Sequence, residues 1–116
     1  MDRKLYELQA EICQIFAHPK RIELLNLLRK KERSVSELVG EMGLAKANVS
    51  QHLAVLRERG VVTARHQGQM VYYRVANQKI FRACELMKQV LLEGLAEGRL
   101  IAARAQADAT QAAKQK

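Results

Sequence analysis

The sequence has no tryptophan, a single proline and only two cysteines in 116 residues. Two cysteines are too few for a disulfide-stapled secreted scaffold and favour a reduced intracellular protein. The chain also lacks any run of 18 apolar residues of the kind that forms a membrane-spanning helix. No signal peptide is expected, because charged residues interrupt the first ten positions. These absences together predict a soluble, cytoplasmic protein.

Acidic residues are the scarcer charge, since 12 Asp and Glu stand against 20 Lys and Arg and leave a net charge of +8. The imbalance is concentrated in residues 42–79, where the only acid is Glu58. Clustered positive charge attracts polyanions, and nucleic acid is the leading candidate. The basic residues of this segment are Lys46, Arg57, Arg59, Arg65, Arg74 and Lys79.

Two short amphipathic helices separated by a glycine turn are predicted between residues 34 and 60. Ser34 and Glu37 have the spacing of a capping box, which places the start of the first helix at Ser34. Gly43 suits the left-handed residue that commonly closes a helix. The second helix is expected from about Ala45 to Arg59, where apolar residues recur at helical spacing. Such a pair is typical of a helix-turn-helix.

The outer face of this second helix carries small and hydrogen-bonding side chains instead of the usual field of Glu and Lys. Small residues let a helix approach closely, while amides, hydroxyls and cations can bond base edges or phosphates. We therefore expect the face to enter a DNA groove; the plain alternative is a solvated surface. The expected DNA-binding residues are Lys46, Asn48, Ser50, Gln51, His52 and Arg57, with Ala47 and Ala54 between them.

A short β-hairpin is predicted after Gly60. Val61–His66 forms its first strand, Gln67–Gln69 its turn and Val71–Val75 its second strand. The tip can lie against the DNA backbone or the minor groove, or it can be an ordinary surface hairpin. The tip residues expected to contact DNA are Arg65, His66, Gln67 and Gln69.

Amphipathic helices flank this region on both sides. Helix one ends before His18, and helix two runs from Pro19 into the polar segment 29–33. The two helices of the predicted helix-turn-helix are helices three and four, and helix five begins at Asn77. Helices one and five carry apolar stripes outside the compact centre, so we expect a two-fold homodimer through them. The sequence thus predicts one domain over residues 1–105 and a disordered tail over 106–116.

The segment GLAKANVSQHLAVLRERGVV, with MVYYRV after it, resembles the winged helix of the ArsR/SmtB family of bacterial transcriptional repressors. The family's Gly-Leu turn, Val-Ser-x-His-Leu helix and Val-Tyr-Tyr-Arg strand are matched at residues 43–44, 49–53 and 71–74. The resemblance implies a mainly α winged helix-turn-helix with a small β-hairpin, dimeric through its N- and C-terminal helices. It also implies a transcriptional repressor. Two recognition helices related by a two-fold axis are expected to read an inverted repeat in double-stranded DNA. Ala45 departs from the family's frequent Ser, so the recognition helix lacks a side-chain cap worth ~1 kcal/mol.

No sequence motif indicates catalysis or a bound cofactor, since phosphate loops, HExxH and nucleophile elbows are lacking. The histidines are scattered: His18 is expected to cap a helix or lie in a turn, His52 to pack within the recognition helix and His66 to face phosphate. Two metal sites known in the resembled family are not matched. Ser34 and Ser36 stand where a Cys-x-Cys motif often lies, and residues 77–104 contain no histidine.

Cys13 and Cys84 fall on the two helices expected at the dimer interface. Some members of the resembled family sense oxidants or reactive sulfur with such a pair, so both residues are candidate thiol sensors. Three alternatives stay open. The cysteines can be ordinary packing residues, the protein can respond to a metal or metalloid through other ligands, or it can be a dimeric adaptor that contacts protein or RNA.

Overall fold

The computed structural model describes residues 2–100. They form five helices and three strands, and the tail predicted over residues 106–116 lies outside them. The first compact unit ends at Phe81 and a second begins at Arg82. No helix of the described part is long and apolar enough to cross a membrane. The elements are α1 (Arg3–Ile15), α2 (Pro19–Leu27), β1 (Arg33–Ser34), α3 (Val35–Met42), α4 (Lys46–Glu58), β2 (Val62–Gln67), β3 (Met70–Val75) and α5 (Lys79–Ala96).

Leucine and valine side chains from α2, α3, α4 and the sheet form the core of the first unit. Leu25, Leu38 and Leu53 represent the three helices in it, and each is at most 1% exposed. Burying a side chain of this size contributes about 1.5–3 kcal/mol, so this shared core fixes α3 and α4 against each other. The other buried apolar residues are Ile15, Leu24, Leu28, Met42, Val49, Leu56, Val61, Val62 and Val75.

The predicted capping signals are present in the structure. The Ser34 hydroxyl accepts from the Glu37 N–H at 3.1 Å, and the Glu37 carboxylate accepts from the Ser34 N–H at 3.3 Å. Gly43 ends α3 in the left-handed region with φ 66°. His18 caps α2 by accepting the Lys20 N–H at its Nδ1 atom, 3.2 Å away. These predictions are confirmed, and so is the absence of a side-chain cap at the start of α4.

The sheet has one strand more than the hairpin predicted from the sequence. β1 pairs antiparallel with β3, which pairs antiparallel with β2, so β3 is central. The expectation that helix two continues into residues 29–33 is wrong, because α2 ends at Leu27. Arg33 lies beyond the end of the helix and pairs with Tyr73 in the sheet, and its Nε donates to the Leu27 carbonyl at 3.0 Å.

The turn of the hairpin is shorter than predicted. Gln67 belongs to β2 and pairs with Met70, which leaves Gly68 and Gln69 as a two-residue loop. Gly68 has φ 61°. A positive φ at the first loop position matches the tight turn whose twist suits a hairpin, and glycine adopts it without strain.

Candidate nucleic-acid interface

Helix α4 presents its predicted DNA-binding face to solvent while its opposite face is anchored in the core. Val49, Leu53 and Leu56 are fully buried and fix how the helix is rotated. Neither Lys46 nor Arg57 forms an ion pair with another residue of the described part of the chain. The helix therefore offers a rigid surface whose polar groups are free to bind a ligand. The exposed residues on it are Lys46, Ala47, Asn48, Ser50, Gln51, Ala54 and Arg57.

His52 lies apart from this exposed face. Its ring is half-buried and meets the His18 ring edge to face, with the centroids 4.6 Å apart. Burial lowers the pKa of His52, and the nearby His18 and Arg21 lower it further. The ring contact links the recognition helix to the start of α2. This placement fits the packing role expected for His52, and its contact with DNA stays a prediction.

Two arginines outside this face bond to other parts of the fold. Arg21 donates from Nε to the Ile15 carbonyl at 2.8 Å and from Nη2 to the Gln14 carbonyl at 3.2 Å. Those carbonyls lie at the end of α1, where backbone acceptors lack helical partners. Arg59 pairs with Glu11 of α1 at 3.1 Å. The net positive charge of the chain therefore overstates the number of cations available to a polyanion.

The predicted hairpin-tip residues Arg65, His66, Gln67 and Gln69 are all exposed, as expected. Arg65 nevertheless forms hydrogen bonds to other side chains of the protein. Its Nε and Nη2 both donate to the Glu32 carboxylate, and its Nη1 donates to the Gln67 side-chain oxygen at 2.7 Å. These hydrogen bonds hold the pKa of Glu32 below its usual value.

Arg74 was not among the predicted DNA-binding residues, although the alternation of side chains along β3 predicts the face of the hairpin on which it lies. Thr63 and Arg74 are cross-strand partners, as are Arg65 and Tyr72, so all four point to one face of the hairpin. Arg74 Nε donates to the Thr63 hydroxyl at 3.3 Å. A shallow depression between these residues is lined by Glu32, Thr63, Ala64, Arg65 and Arg74.

The two cysteine thiols are free and differ in their surroundings. Cys13 is exposed on α1, whereas Cys84 is half-buried on α5. Burial raises the pKa of the Cys84 thiol. Among residues 2–100 there is no group of three or more His, Cys, Asp or Glu side chains placed to hold a metal ion.

Helices α1 and α5 each expose several large apolar side chains. On α1 these are Leu5, Leu8 and Ile12, and on α5 the most exposed is Met87 at 69%. Cys84 and Leu95, which are also on α5, are half-buried. The exposed apolar residues of α5 are Leu86, Met87, Val90, Leu91 and Leu92.

Comparison with known proteins places this geometry in a family. The family described as bacterial regulatory protein, arsR family, matches residues 18–64. The HTH-type transcriptional regulator Rv0081 of Mycobacterium tuberculosis is 42% identical over 94 residues, which cover 80% of this chain and 82% of the relative. Its crystal structure superposes with a TM-score of 0.75 at 40% identity, covering 83% of this chain and 97% of that one.

Two further relatives agree with this match. The homodimeric winged helix-turn-helix DNA-binding domain Mb0332 of Mycobacterium bovis has a TM-score of 0.71 at 31% identity, over 84% of this chain and 91% of that one. A biofilm growth-associated repressor of Agrobacterium fabrum is 34% identical over 87 residues, which are 75% of this chain and 74% of the relative. This chain belongs to the arsR family of bacterial regulatory proteins and is a winged helix-turn-helix transcriptional regulator.

Proposed function

We propose that the protein is a repressor that binds an inverted repeat in double-stranded DNA as a homodimer, in the bacterial cytoplasm and without a catalytic role. The main support for this proposal is the outer face of α4, which is exposed and whose cations form no ion pair within residues 2–100. The opposite side of the same helix is fully buried. A rigid helix with small and hydrogen-bonding outward residues suits the major groove. Relatives described as a homodimeric DNA-binding domain and as a repressor support the same role.

The exposed apolar residues of α1 and α5 support the homodimer. Large aliphatic side chains rarely form an exposed stripe along a helix unless another surface covers them. A second copy of the chain can cover both stripes around a two-fold axis. Two recognition helices related in this way read half-sites about one helical turn apart, roughly 34 Å, or a multiple of that distance.

The side chains of the interface divide into base readers and phosphate anchors. Gln51 and Ser50 carry the groups that can bond base edges in the major groove. Lys46 and Arg57 can reach either guanine or phosphate. On the hairpin, Arg74 joins His66 as a phosphate contact because its guanidinium is exposed and has no carboxylate partner among residues 2–100.

Replacing Gln51 by Ala is expected to remove ~1–3 kcal/mol of discrimination at one base pair in each half-site, because a bidentate amide contact is lost. The measurement starts from the duplex that the wild type selects from a random pool. Affinities are then compared for every single-base change of that site. Gln89→Ala, on the polar side of α5, is the matched control and keeps the wild-type profile. An unchanged profile for Gln51→Ala would place other residues in the groove.

Thiol chemistry at Cys13 and Cys84 is the proposed signal. The thiolate is the reacting species, and burial raises the pKa of Cys84, which disfavours its thiolate. Cys13 is exposed to reagents in solution and is therefore expected to react first. Peroxide converts a thiolate to sulfenic acid, which condenses with a second thiol to form a disulfide and water. That second thiol belongs to Cys84 of the same protomer or of its symmetry mate.

The thiol proposal predicts that peroxide or an organic persulfide weakens DNA binding by the wild type and that reductant restores it. Cys13→Ser and Cys84→Ser are expected to keep the reduced affinity in every condition, since each variant lacks one of the two sulfurs needed for the link. DNA-binding titrations of the three proteins measure this. Superimposable isotherms for the wild type with and without oxidant would rule the thiol signal out.

A further inference from the structure

Glu32 occupies the edge of the Arg65 guanidinium that binds oxyanions. Nε and Nη2 of Arg65 donate side by side to the two carboxylate oxygens, with Nε 3.3 Å from its acceptor. Arginine binds a phosphate with the same parallel pair of N–H groups. Nη1 is also occupied, because it donates to Gln67 at 2.7 Å. Tyr72 closes one face, with its ring centroid 4.8 Å from the guanidinium carbon.

We propose that Glu32 competes with the DNA phosphate for Arg65 and so holds the affinity of the hairpin for DNA below the value its cations would otherwise give. This inference rests on the proposed function, in which the hairpin contacts the DNA backbone. A phosphate must displace the carboxylate or approach an ion pair that carries no net charge. Either way, Arg65 contributes little to binding while Glu32 is present.

The charges around the depression support this competition. Glu32, Arg65 and Arg74 line it together, so the three charges sum to +1 with Glu32 and to +2 without it. Arg74 lies close enough to help lower the pKa of Glu32, and it is bonded to the neutral Thr63 hydroxyl. Removing the carboxylate charge therefore leaves two adjacent guanidinium groups that face solvent without a counter-charge.

The competition acts on phosphate and carries no sequence information. Phosphate contacts position a protein on any duplex, whereas base contacts discriminate among sequences. Glu32 therefore lowers affinity for cognate and unrelated DNA by the same factor. Each additional phosphate neutralised also steepens the plot of log affinity against log salt, by about 0.9 per contact.

The test compares Glu32→Gln with the wild type and with Glu41→Gln in salt-dependent DNA titrations. Glu32→Gln is expected to bind selected and scrambled duplexes about three- to tenfold more tightly, as one exposed ion pair stops competing in each of two hairpins. Its salt slope should steepen by about one to two. Glu41→Gln makes the same charge change, but its partner Arg33 is only 19% exposed and also donates from Nε to the Leu27 carbonyl, so this variant controls for net charge.

Two further variants complete the design. Glu32→Ala should show the same gain as Glu32→Gln, which separates loss of the carboxylate from an effect of the new amide. In an Arg65→Gln background the gain should disappear, because there is no longer a guanidinium to release. Circular dichroism confirms that each variant is folded.

The failures of the inference and of the proposed function are distinguishable. If the wild type binds duplex DNA but Glu32→Gln binds no more tightly than Glu41→Gln, only the competition is overturned. Weaker binding by Glu32→Gln would also overturn it and would make Glu32 a positioning residue for Arg65. If the wild type binds no duplex at all, the proposed function fails and the competition fails with it.

Discussion

Met87→Glu is expected to separate the dimer into monomers and to weaken binding to the selected inverted repeat by about 10²- to 10⁴-fold. Met87 is the most exposed large apolar side chain of the described chain, at 69%. A charge at this position would have to be desolvated in a dimer interface but remains hydrated in a monomer. Without the dimer each recognition helix binds its half-site alone, and the gain from bivalent binding is lost.

Gln89→Glu is the matched control for this substitution, because it adds the same charge to the same helix two residues away. It should leave both the dimer and the DNA affinity close to the wild type. Sedimentation velocity at micromolar concentration and DNA titrations measure the two effects. A Met87→Glu protein that remains a tight dimer would show that α5 does not form the interface.

Leu53→Ala is expected to lower the free energy of unfolding by about 2–5 kcal/mol. Leu53 is fully buried on the side of α4 that faces the core, so the substitution leaves a cavity beneath the recognition helix. The loss is large compared with the total stability of a small domain, which is typically about 5–15 kcal/mol. Urea unfolding at one fixed protein concentration measures it, since dimerisation makes stability depend on concentration.

Val55→Ala provides the comparison on the same helix. Val55 is 36% exposed, and truncating it creates no enclosed cavity. Its effect should therefore be well below that of Leu53→Ala. Equal effects of the two substitutions would mean that α4 is rotated differently from the orientation described above, and the assignment of its outer face to DNA would have to change.

The sequence predicted the starts of α2 and α3 and the end of α3 well because these helix ends carry short-range signals. Ser34 and Glu37 are three residues apart, Pro19 fixes its own φ, and Gly43 takes the left-handed conformation that few other residues tolerate. The exposed face of α4 followed from helical spacing alone. Signals of this kind need no knowledge of the rest of the fold.

The missed features depend on contacts between residues far apart in the chain. β1 is two residues long, too short for an alternating pattern, and exists because Arg33 and Ser34 pair with β3. The ion pair of Glu32 with Arg65 spans 33 positions. The packing of His52 on His18 likewise follows from the approach of α4 to the start of α2. Periodicity and composition contain no information about such approaches.

Selection of duplexes by the full-length protein from a random pool tests the central claim most directly. We expect enrichment of an inverted repeat with half-sites about one helical turn apart, or a multiple of it, bound by two copies of the chain. Affinity for that site should fall steeply as salt rises. Recovery of sequences with no common motif, or a selected site that binds no better than its scrambled version, would contradict sequence-specific reading by the α4 face.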